Sequence, residues 1–351
     1  MIKLAVLFGG KSSEHNVSVV SGTSIISNLD KGKYDIYPIY ISKKGEYYHY
    51  KKNVGEIIPL KLDEEITQLE KIDNIVKYLE DIDVVFPVLH GLYGEDGTIQ
   101  GMLELIGKKY VGCGVLSSSL CMDKVYAKVL FRVSGIDVAK SMYIKKYNDN
   151  YIYIDDNFNR TILNKEEIEN KVEEYLKYPV FIKPSNEGSS VGVSKVNKNE
   201  DLIRCLEDAF KYDSKVLIEE MIVGREVECA VLGNNEVEAS FVGEVLSAGE
   251  FYSYDSKYKN KESVTVIPAD IPSNIMEEIR SKAIKAYNAC DCRGLSRVDF
   301  FIEEVTNRII LNEINTLPGF TEISMYPKLM EHLGYQYSEL LDKLIELAMK
   351  D

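Results

Sequence analysis

Histidine is scarce in this sequence, and so are closely spaced cysteines. The chain has 4 histidines and 6 cysteines, and only Cys290 and Cys292 are near neighbours. A structural zinc site requires several ligands at short, regular spacing. The zinc-finger classes are therefore excluded, and we interpret the cysteines as reduced packing residues of an intracellular protein.

Long apolar runs and an excess of basic residues are also missing. No stretch is long enough to span a bilayer, and the N-terminal segment MIKLAVLFGG has no small-residue cleavage site, so it predicts a first strand rather than a signal peptide. The net charge is −14, which argues against nucleic acid as the main partner because phosphate contacts require clustered Lys and Arg. We expect a cytoplasmic protein with no membrane partner and no nucleic-acid partner.

The pattern that is present is an alternation of strands and helices over 351 residues, a length that predicts two or three domains. The runs IKLAVLF, YDIYPIYI and DVVFPVLH alternate with helical patterns, which predicts a parallel sheet covered by helices. Strands and helices mix in the middle third, which indicates an α+β domain. Two hairpins and two terminal helices complete the chain. We expect domains over residues 1–112, 113–222 and 223–351.

The segment LSRVDFFIEEVTNRIILNEIN predicts a hairpin with two apolar arms, in which Glu303 lies opposite Ile309. In that register four polar side chains project from one face of the ribbon. They are Arg297, Asp299, Glu313 and Asn315. Two carboxylates and an amide suit Mg²⁺ with phosphate and water, whereas a solvent-facing hairpin with incidental salt bridges is the alternative. The apolar flanks favour the metal, because they leave little room for a second wet face.

The segment IKPSNEGSSVGV is a candidate phosphate-binding loop. A strand presents Lys183, and the following Ser/Gly loop could offer backbone N–H groups and the hydroxyls of Ser189 and Ser190 to phosphate oxygens. It is not a Walker A motif, and a plain hairpin turn is the alternative interpretation. Lys124, in the segment CMDKVYAK, would add a second cation, although such a lysine is ordinarily a surface residue.

Taken together, these segments resemble the D-alanine–D-alanine ligases of the ATP-grasp superfamily. The resemblance is carried, in order along the chain, by FGGKSSEHNVS, FPVLHGLYGEDGTIQG, MDK, FIKPSNEGSSVGVSKV, EFYSYDSKY, CRGLSRVDFF and LNEINTLPGFT. It implies α/β and α+β domains in a three-domain ATP-grasp architecture with an N-terminal parallel sheet. ATP would lie between the central and C-terminal domains.

The resemblance also implies how ATP and metal are held. Two Mg²⁺ ions, for which Mn²⁺ could substitute, would bind Asp299, Glu313 and Asn315. Phosphates would contact Lys124 and Lys183 beneath a loop from Glu187 to Val191. The residues implied for ATP binding are Lys124, Lys183, Glu187, Ser189, Ser190, Val191, Glu219, Glu220, Ile222 and Glu226.

The remaining site residues are likewise implied by the resemblance. The implied catalytic residues are Glu14, Ser189, Tyr258, Arg297 and Gly319. The implied substrate-binding residues are His90, Tyr252, Lys257, Ser324 and Met325. Without the resemblance, Glu14 would be a helix-capping acid, His90 a strand-end residue and Tyr258 a loop-packing residue.

The expected activity is ATP-dependent joining of two D-alanines through a D-alanyl phosphate, for peptidoglycan precursor synthesis. Tyr258 disfavours D-lactate as acceptor, and the apolar Met325 favours D-alanine over D-serine, although Ile323 departs from the histidine that is frequent in the family. A D-alanine–D-serine ligase, a catalytically inactive nucleotide-binding sensor and another ATP-grasp carboxylate–amine ligase are the alternatives. The resemblance also implies a homodimer.

Overall fold

A mainly parallel sheet forms the first part of the structure, a computed structural model that describes residues 1–246 and 264–350. Its strand order is β4-β3-β2-β1-β5-β6, in which β1, β2, β5 and β6 are parallel and β3 and β4 extend one edge antiparallel. The strands are β1 (Ile2–Gly9), β2 (Tyr34–Ile41), β3 (Tyr47–Tyr50), β4 (Leu69–Lys71), β5 (Val84–Val88) and β6 (Lys109–Tyr110). The helices are α1 (His15–Asn28), α2 (Ile75–Tyr78) and α3 (Thr98–Leu105), with a short 3₁₀ turn at Val54–Glu56. The predicted parallel sheet is therefore confirmed.

A second sheet of six antiparallel strands follows, in the order β11-β10-β12-β7-β8-β9. Its strands are β7 (Ser141–Tyr147), β8 (Asn150–Ile154), β9 (Arg160–Leu163), β10 (Val180–Pro184), β11 (Ser194–Val196) and β12 (Lys215–Glu220). Helices α6 (Lys165–Tyr175) and α7 (Asn199–Ala209) pack on it through buried residues such as Ile168 and Leu206. A capping box between Asn164 and Glu167 fixes the start of α6.

The third sheet carries the predicted hairpins and has the order β15-β14-β13-β16-β17. Its strands are β13 (Gly224–Gly233), β14 (Val237–Leu246), β15 (Val264–Val266), β16 (Leu295–Glu303) and β17 (Ile309–Asn315). The remaining helices are α4 (Val115–Met122), α5 (Lys124–Val133), α8 (Ser273–Ala289), α9 (Met325–Leu333) and α10 (Tyr337–Lys350). No described helix has the length and apolar composition needed to cross a bilayer.

Two hydrophobic cores join segments that are far apart in the sequence. Phe86 of the first sheet and Phe320 near the C-terminal helices pack with ring centroids 6.1 Å apart, in a core that includes Leu340. Cys121 and Phe131, from α4 and α5, are buried in the core of the third sheet. The first and third sheets are thereby held together, and the carboxyl ends of β1 and β5 face the C-terminal hairpin.

Asp123 stabilises the junction between α4 and α5, and its removal has a predictable cost. Its Oδ1 accepts hydrogen bonds from the N–H of Val125 (3.1 Å) and from the hydroxyl of Ser185 (2.7 Å), and its Oδ2 pairs with Lys215. We expect Asp123→Ala to lower the free energy of unfolding by about 3 kcal/mol, through the lost cap and the unpaired lysine. Urea unfolding followed by circular dichroism measures this. Asp123→Asn keeps the capping oxygen, so a loss as large as that of the alanine variant would contradict the cap's contribution.

Candidate active site

Four polar residues of the β16–β17 hairpin project from the same face of the ribbon. Arg297 lies opposite Asn315, and Asp299 lies opposite Glu313, as the sequence pattern predicted. On the other side of β16, Glu228 of β13 lies opposite Asp299. Alternate residues of a strand share a face, so these three strands bring carboxylates, an amide and a guanidinium to one surface.

The predicted pairing nearer to the turn was wrong by one residue. Ile309 pairs with Ile302 and not with Glu303. A β-bulge inserts Asn312 between the partners of Phe300 and Asp299, and this extra residue restores the predicted pairing beyond it. The polar face therefore depends on the bulge, because without it Asp299 would lie opposite Asn312 and Glu313 would turn to the other face.

Arg297 is the centre of a buried network of charges. Its Nε donates to Asp299 Oδ1 (2.8 Å), an Nη donates to Oδ2 (2.7 Å), and Nε lies 2.9 Å from Glu228 Oε2. The Asn315 amide also donates to Asp299 Oδ2, at 3.0 Å. Burial works to lower the pKa of Arg297, but the charges of Asp299 and Glu228 outweigh it and raise the pKa well above its ordinary value. The guanidinium of Arg297 therefore stays positively charged.

A first cleft of about 1170 Å³ of empty volume lies between the second and third sheets. Nearly all residues predicted to bind ATP line it: Lys124, Lys183, Glu187, Ser189, Ser190, Glu219, Glu220, Ile222 and Glu226. Val191 lies in the same loop, where its N–H donates to the Gly188 carbonyl at 3.0 Å. Asp299 and Glu313 line the same cleft. An elongated ligand with a charged tail could therefore reach from the Ile222 end to the hairpin carboxylates.

Two lysines share one buried carboxylate in this first cleft. Lys183 Nζ lies 2.6 Å from Glu219 Oε2, and Lys128 Nζ lies 2.5 Å from Oε1. Burial works to raise the pKa of Glu219, but the two cations outweigh it and lower the pKa to about 2. Lys124, one helical turn before Lys128, donates to the Glu187 carbonyl at 2.6 Å. Lysine side chains therefore reach into the cleft from α5 and from β10.

A second cleft of about 1050 Å³ of empty volume opens next to the first. Predicted residues that line it are Glu14, His90, Ser189, Arg297, Glu313, Asn315, Gly319, Ser324 and Met325. Lys124, Glu187, Ser189 and Glu313 line both clefts. A group bound in the first cleft at Glu313 would therefore be adjacent to a small molecule in the second.

Glu14 and Ser189 connect the first and second sheets across the second cleft. The Ser189 hydroxyl donates to Glu14 Oε1, although the two residues are 175 positions apart. Glu14 is 7 % exposed, and a Cβ on Gly188 would lie 2.9 Å from its Oε2. A side chain at position 188 would therefore push against the Glu14 carboxylate.

His90 is a buried, uncharged residue at the end of β5. Its Nδ1 lies 3.1 Å from the Leu317 carbonyl and its Nε2 lies 3.0 Å from the Ser21 hydroxyl. Burial lowers its pKa, so the neutral ring donates from Nδ1 and accepts at Nε2. His90 thus fixes the segment 315–319, which ends the hairpin, against α1.

Glu95 is a second carboxyl group in the cleft near Glu14. It accepts a hydrogen bond from the Gly91 N–H at 2.9 Å. Burial and the nearby charge of Glu14 raise its pKa to about 8. The protonated form of Glu95 is therefore favoured in this cleft.

The far wall of the second cleft is formed by the segment from Gly319 to Met325. A Cβ on Gly319 would lie 2.8 Å from Ser324 Oγ, and Ser324 Oγ accepts from the Thr321 N–H at 3.0 Å. Met325 begins α9 and is 5 % exposed. The wall therefore places Gly319 beside a small hydroxyl and a buried thioether.

The family models for the "D-ala D-ala ligase N-terminus" and the "D-ala D-ala ligase C-terminus" match residues 3–113 and 149–346 of this chain. The chain belongs to the D-alanine–D-alanine ligase family. Relatives named D-alanine–D-alanine ligase include one from Caldicellulosiruptor bescii, 48 % identical over 99 % of this chain and 95 % of its own length. Another, from Clostridium acetobutylicum, is 47 % identical over 99 % of this chain and 97 % of its own length.

Solved structures of the ligase family share the whole fold. The VanG D-Ala:D-Ser ligase from Enterococcus faecalis has a TM-score of 0.84 and 39 % identity, with 99 % of each chain covered. The D-alanine–D-alanine ligase from Bacillus anthracis, solved in complex with ATP, has a TM-score of 0.75 and 30 % identity, with 100 % of this chain and 98 % of that chain covered. The predicted three-domain ATP-grasp architecture is confirmed.

Some predicted residues of this ligase-family site are not placed by the structure, and some placed residues were not predicted. Tyr252, Lys257 and Tyr258 lie outside the described residues. Lys128, Glu228 and Glu95 were not assigned a role from the sequence. A signal existed for each, since Lys128 is four residues after Lys124 on one helix, Glu228 alternates with Glu226 along β13, and Glu95 lies in the motif HGLYGEDG.

The donor atoms on the hairpin fit a hard divalent cation. The carboxylates of Asp299 and Glu313 and the side-chain oxygen of Asn315 are oxygen ligands of the kind that Mg²⁺ prefers. Within residues 1–246 and 264–350, no group of three or more His, Cys, Asp or Glu side chains is placed to hold a metal ion. A magnesium ion here would therefore depend on the amide and on ligand phosphates to complete its shell.

Proposed function

We propose that this chain is an ATP-dependent ligase that joins two D-alanines into D-alanyl-D-alanine for peptidoglycan precursors. The observation that carries the proposal is the hairpin Arg297, Asp299, Glu313 and Asn315, placed where the two clefts meet. The names of the full-length relatives support it. The test is release of ADP and of a dipeptide when purified protein is given ATP and D-alanine.

The first chemical step activates a carboxylate. An oxygen of the first D-alanine attacks the γ-phosphorus of ATP, ADP leaves, and a D-alanyl phosphate forms. Such a transfer requires alignment and neutralisation of charge more than covalent help. Arg297 supplies the cation next to the transferred phosphoryl group, and Lys124 and Lys183 hold the other phosphates. Asp299, Glu313 and Asn315 would hold two Mg²⁺ ions, or Mn²⁺, which supply further neutralisation of the phosphate oxygens.

The second step forms the peptide bond. The ammonium group of the second D-alanine first releases a proton to solvent, and the resulting amine attacks the acyl carbon. The bond between the acyl carbon and the phosphate oxygen breaks, and inorganic phosphate leaves with the second proton that the amine gives up. Glu14 binds the ammonium group of the first D-alanine, and Ser189 holds Glu14 in place. The N–H of Gly319 faces the oxyanion that forms on the acyl carbon. His90 orders the segment from which that N–H projects.

The other residues of the proposed site bind nucleotide and acceptor. Glu187, Ser190 and Val191 cover the phosphates, Glu219 accepts from the adenine amino group, Glu220 and Ile222 contact the base through backbone, and Glu226 binds ribose hydroxyls. Tyr252, Lys257 and Tyr258 are proposed to cover the amino-acid substrates. We further propose domains over residues 1–112, 113–222 and 223–351, a homodimer and a cytoplasmic location.

D-serine is the second candidate acceptor. It is favoured by the likeness to the VanG D-Ala:D-Ser ligase, which has the higher TM-score of the two structures compared above. Against it, Met325 is buried and lines the second cleft, and a thioether offers a methyl group a better surface than it offers a hydroxyl.

We expect D-alanine to be preferred over D-serine by about tenfold in kcat/KM. The measurement is competition between D-alanine, D-serine and D-lactate as acceptors, read from the mass of the product. Faster formation of D-alanyl-D-serine would assign the chain to the second candidate. A nucleotide-binding sensor without ligase activity would release no ADP in response to D-alanine.

A further inference from the structure

Lys128 is a fully buried lysine without a role in the reaction as described so far. Its side chain is 2 % exposed, and its Nζ lies 2.5 Å from Glu219 Oε1. Taking a lysine out of water is costly unless a carboxylate neutralises it. The position on α5, four residues after Lys124, places Lys128 behind the wall of the first cleft. The free-energy cost of burying this charge indicates that the charge has a role.

The two oxygens of Glu219 are divided between two cations. Oε1 faces Lys128, and Oε2 accepts a hydrogen bond from Lys183 at 2.6 Å. One carboxylate therefore neutralises two lysines in a pocket where Glu219 itself is 3 % exposed. Either lysine alone would balance the single charge of Glu219, so Glu219 keeps one counter-cation if the other lysine turns away.

The two lysines differ in their access to the cleft. Lys183 is 16 % exposed and lines the first cleft, whereas Lys128 is 2 % exposed and lies behind it. Only Lys183 can turn toward an anionic ligand. When it does, Glu219 would keep a buried charge with no partner, unless Lys128 remains in contact with Oε1.

We propose that Lys128 is a positioning residue that neutralises Glu219, so that Lys183 can leave Glu219 for the phosphates of ATP. Oε2 is then free to accept from the adenine amino group. The proposal rests on the proposed function of the cleft as the ATP site, but it assigns a residue that acts through Glu219 and does not touch the nucleotide. Lys128 thereby links the recognition of adenine by Glu219 to the release of Lys183 from Glu219 to the phosphates.

Lys128→Met removes the charge and keeps the length of the side chain. The expected result is a KM for ATP at least about tenfold higher, with the KM for D-alanine and kcat at saturating ATP within about threefold of wild type. Calorimetric binding of ADP should weaken in parallel. The matched control is Lys146→Met, which breaks the 2.5 Å pair between Lys146 of the second sheet and Glu207 of α7. Neither residue lines either cleft, so this variant should leave the KM for ATP unchanged.

The double variant Lys128→Met, Glu219→Gln separates charge balance from packing. Both buried charges are then removed, so the double variant should bind ADP more tightly than Lys128→Met alone. Lys128→Arg keeps the cation and should stay within about threefold of wild type in the KM for ATP. The proposal is overturned if the KM for ATP is unchanged in Lys128→Met. It is also overturned if the double variant binds ADP more weakly than Lys128→Met. Absence of ADP release from wild type would overturn the proposed function instead, and ADP binding would still test Lys128.

Discussion

Arg297→Met is expected to lower kcat by about 10³-fold or more. A cation placed beside a transferred phosphoryl group contributes about that much in related chemistry, and the network around Arg297 holds its guanidinium in one orientation. The KM for ATP should change less than kcat, because the cation acts most strongly on charge that develops in the transition state. Steady-state kinetics with ATP and D-alanine measure both quantities.

Two variants show whether the loss comes from chemistry or from structure. Arg225→Met breaks a two-point ion pair with Glu244, in which both contacts are 2.6 Å long. This pair lies in the third sheet, as Arg297 does, but outside both clefts. The variant should therefore keep kcat within about twofold of wild type. Arg297→Lys keeps a charge but loses the planar fork, so its kcat should lie between those of wild type and Arg297→Met. A kcat for Arg297→Met close to that of Arg225→Met would remove Arg297 from the reaction.

The strands were predictable because their signal is local. The apolar run of β1 reports burial directly in the sequence. The alternation of β13 and β14 predicted the hairpin but not its burial, because both strands contain long runs of buried residues. The register of the β16–β17 hairpin was predictable only beyond its bulge. The turn shifts the pairing by one residue from the predicted register, and the extra Asn312 shifts it back. Sequence patterns contain the alternation, but they do not contain the insertion that interrupts it.

The site residues that sequence analysis missed owe their properties to tertiary contacts. Lys128 looks like any helix lysine until α5 packs against β12 and buries it beside Glu219. Glu95 is an ordinary loop carboxyl until the fold brings Glu14 near it and removes both from water. Glu228 gains its importance from Arg297, which is 69 residues later in the chain. None of these pairings follows from spacing along the sequence.

The junctions between sheets were the least predictable part of the fold. Helices α4 and α5 lie between the first and second sheets in the sequence, yet Cys121 and Phe131 are buried in the core of the third sheet. The C-terminal helices share a core with the first sheet. These contacts bring Glu14, Ser189 and Arg297, from three separate sheets or their loops, to the same cleft.

Glu313→Gln is expected to reduce turnover by about 10³-fold or more while the fold is kept. The substitution preserves the size of the side chain and one oxygen, but it removes a negative charge from the place where Asp299, Glu313 and Asn315 would hold the divalent cations. A neutral amide is a weaker ligand for Mg²⁺ than a carboxylate, so the phosphates of ATP would lose both alignment and neutralisation. The dependence of rate on Mg²⁺ concentration should move to higher concentration as well.

Calorimetry separates the effect of Glu313→Gln on metal binding from its effect on nucleotide binding. ADP binding is followed by calorimetry with and without Mg²⁺. The gain in ADP affinity that Mg²⁺ gives to wild type should be smaller in Glu313→Gln. Without the metal, the affinity of this variant for ADP should improve or stay equal, because a negative charge is gone. Glu303→Gln, at the turn end of the same hairpin and outside both clefts, is the matched control and should retain the full gain. Equal gains from Mg²⁺ in wild type and in Glu313→Gln would place the cation elsewhere, and the hairpin face would then act through Arg297 alone.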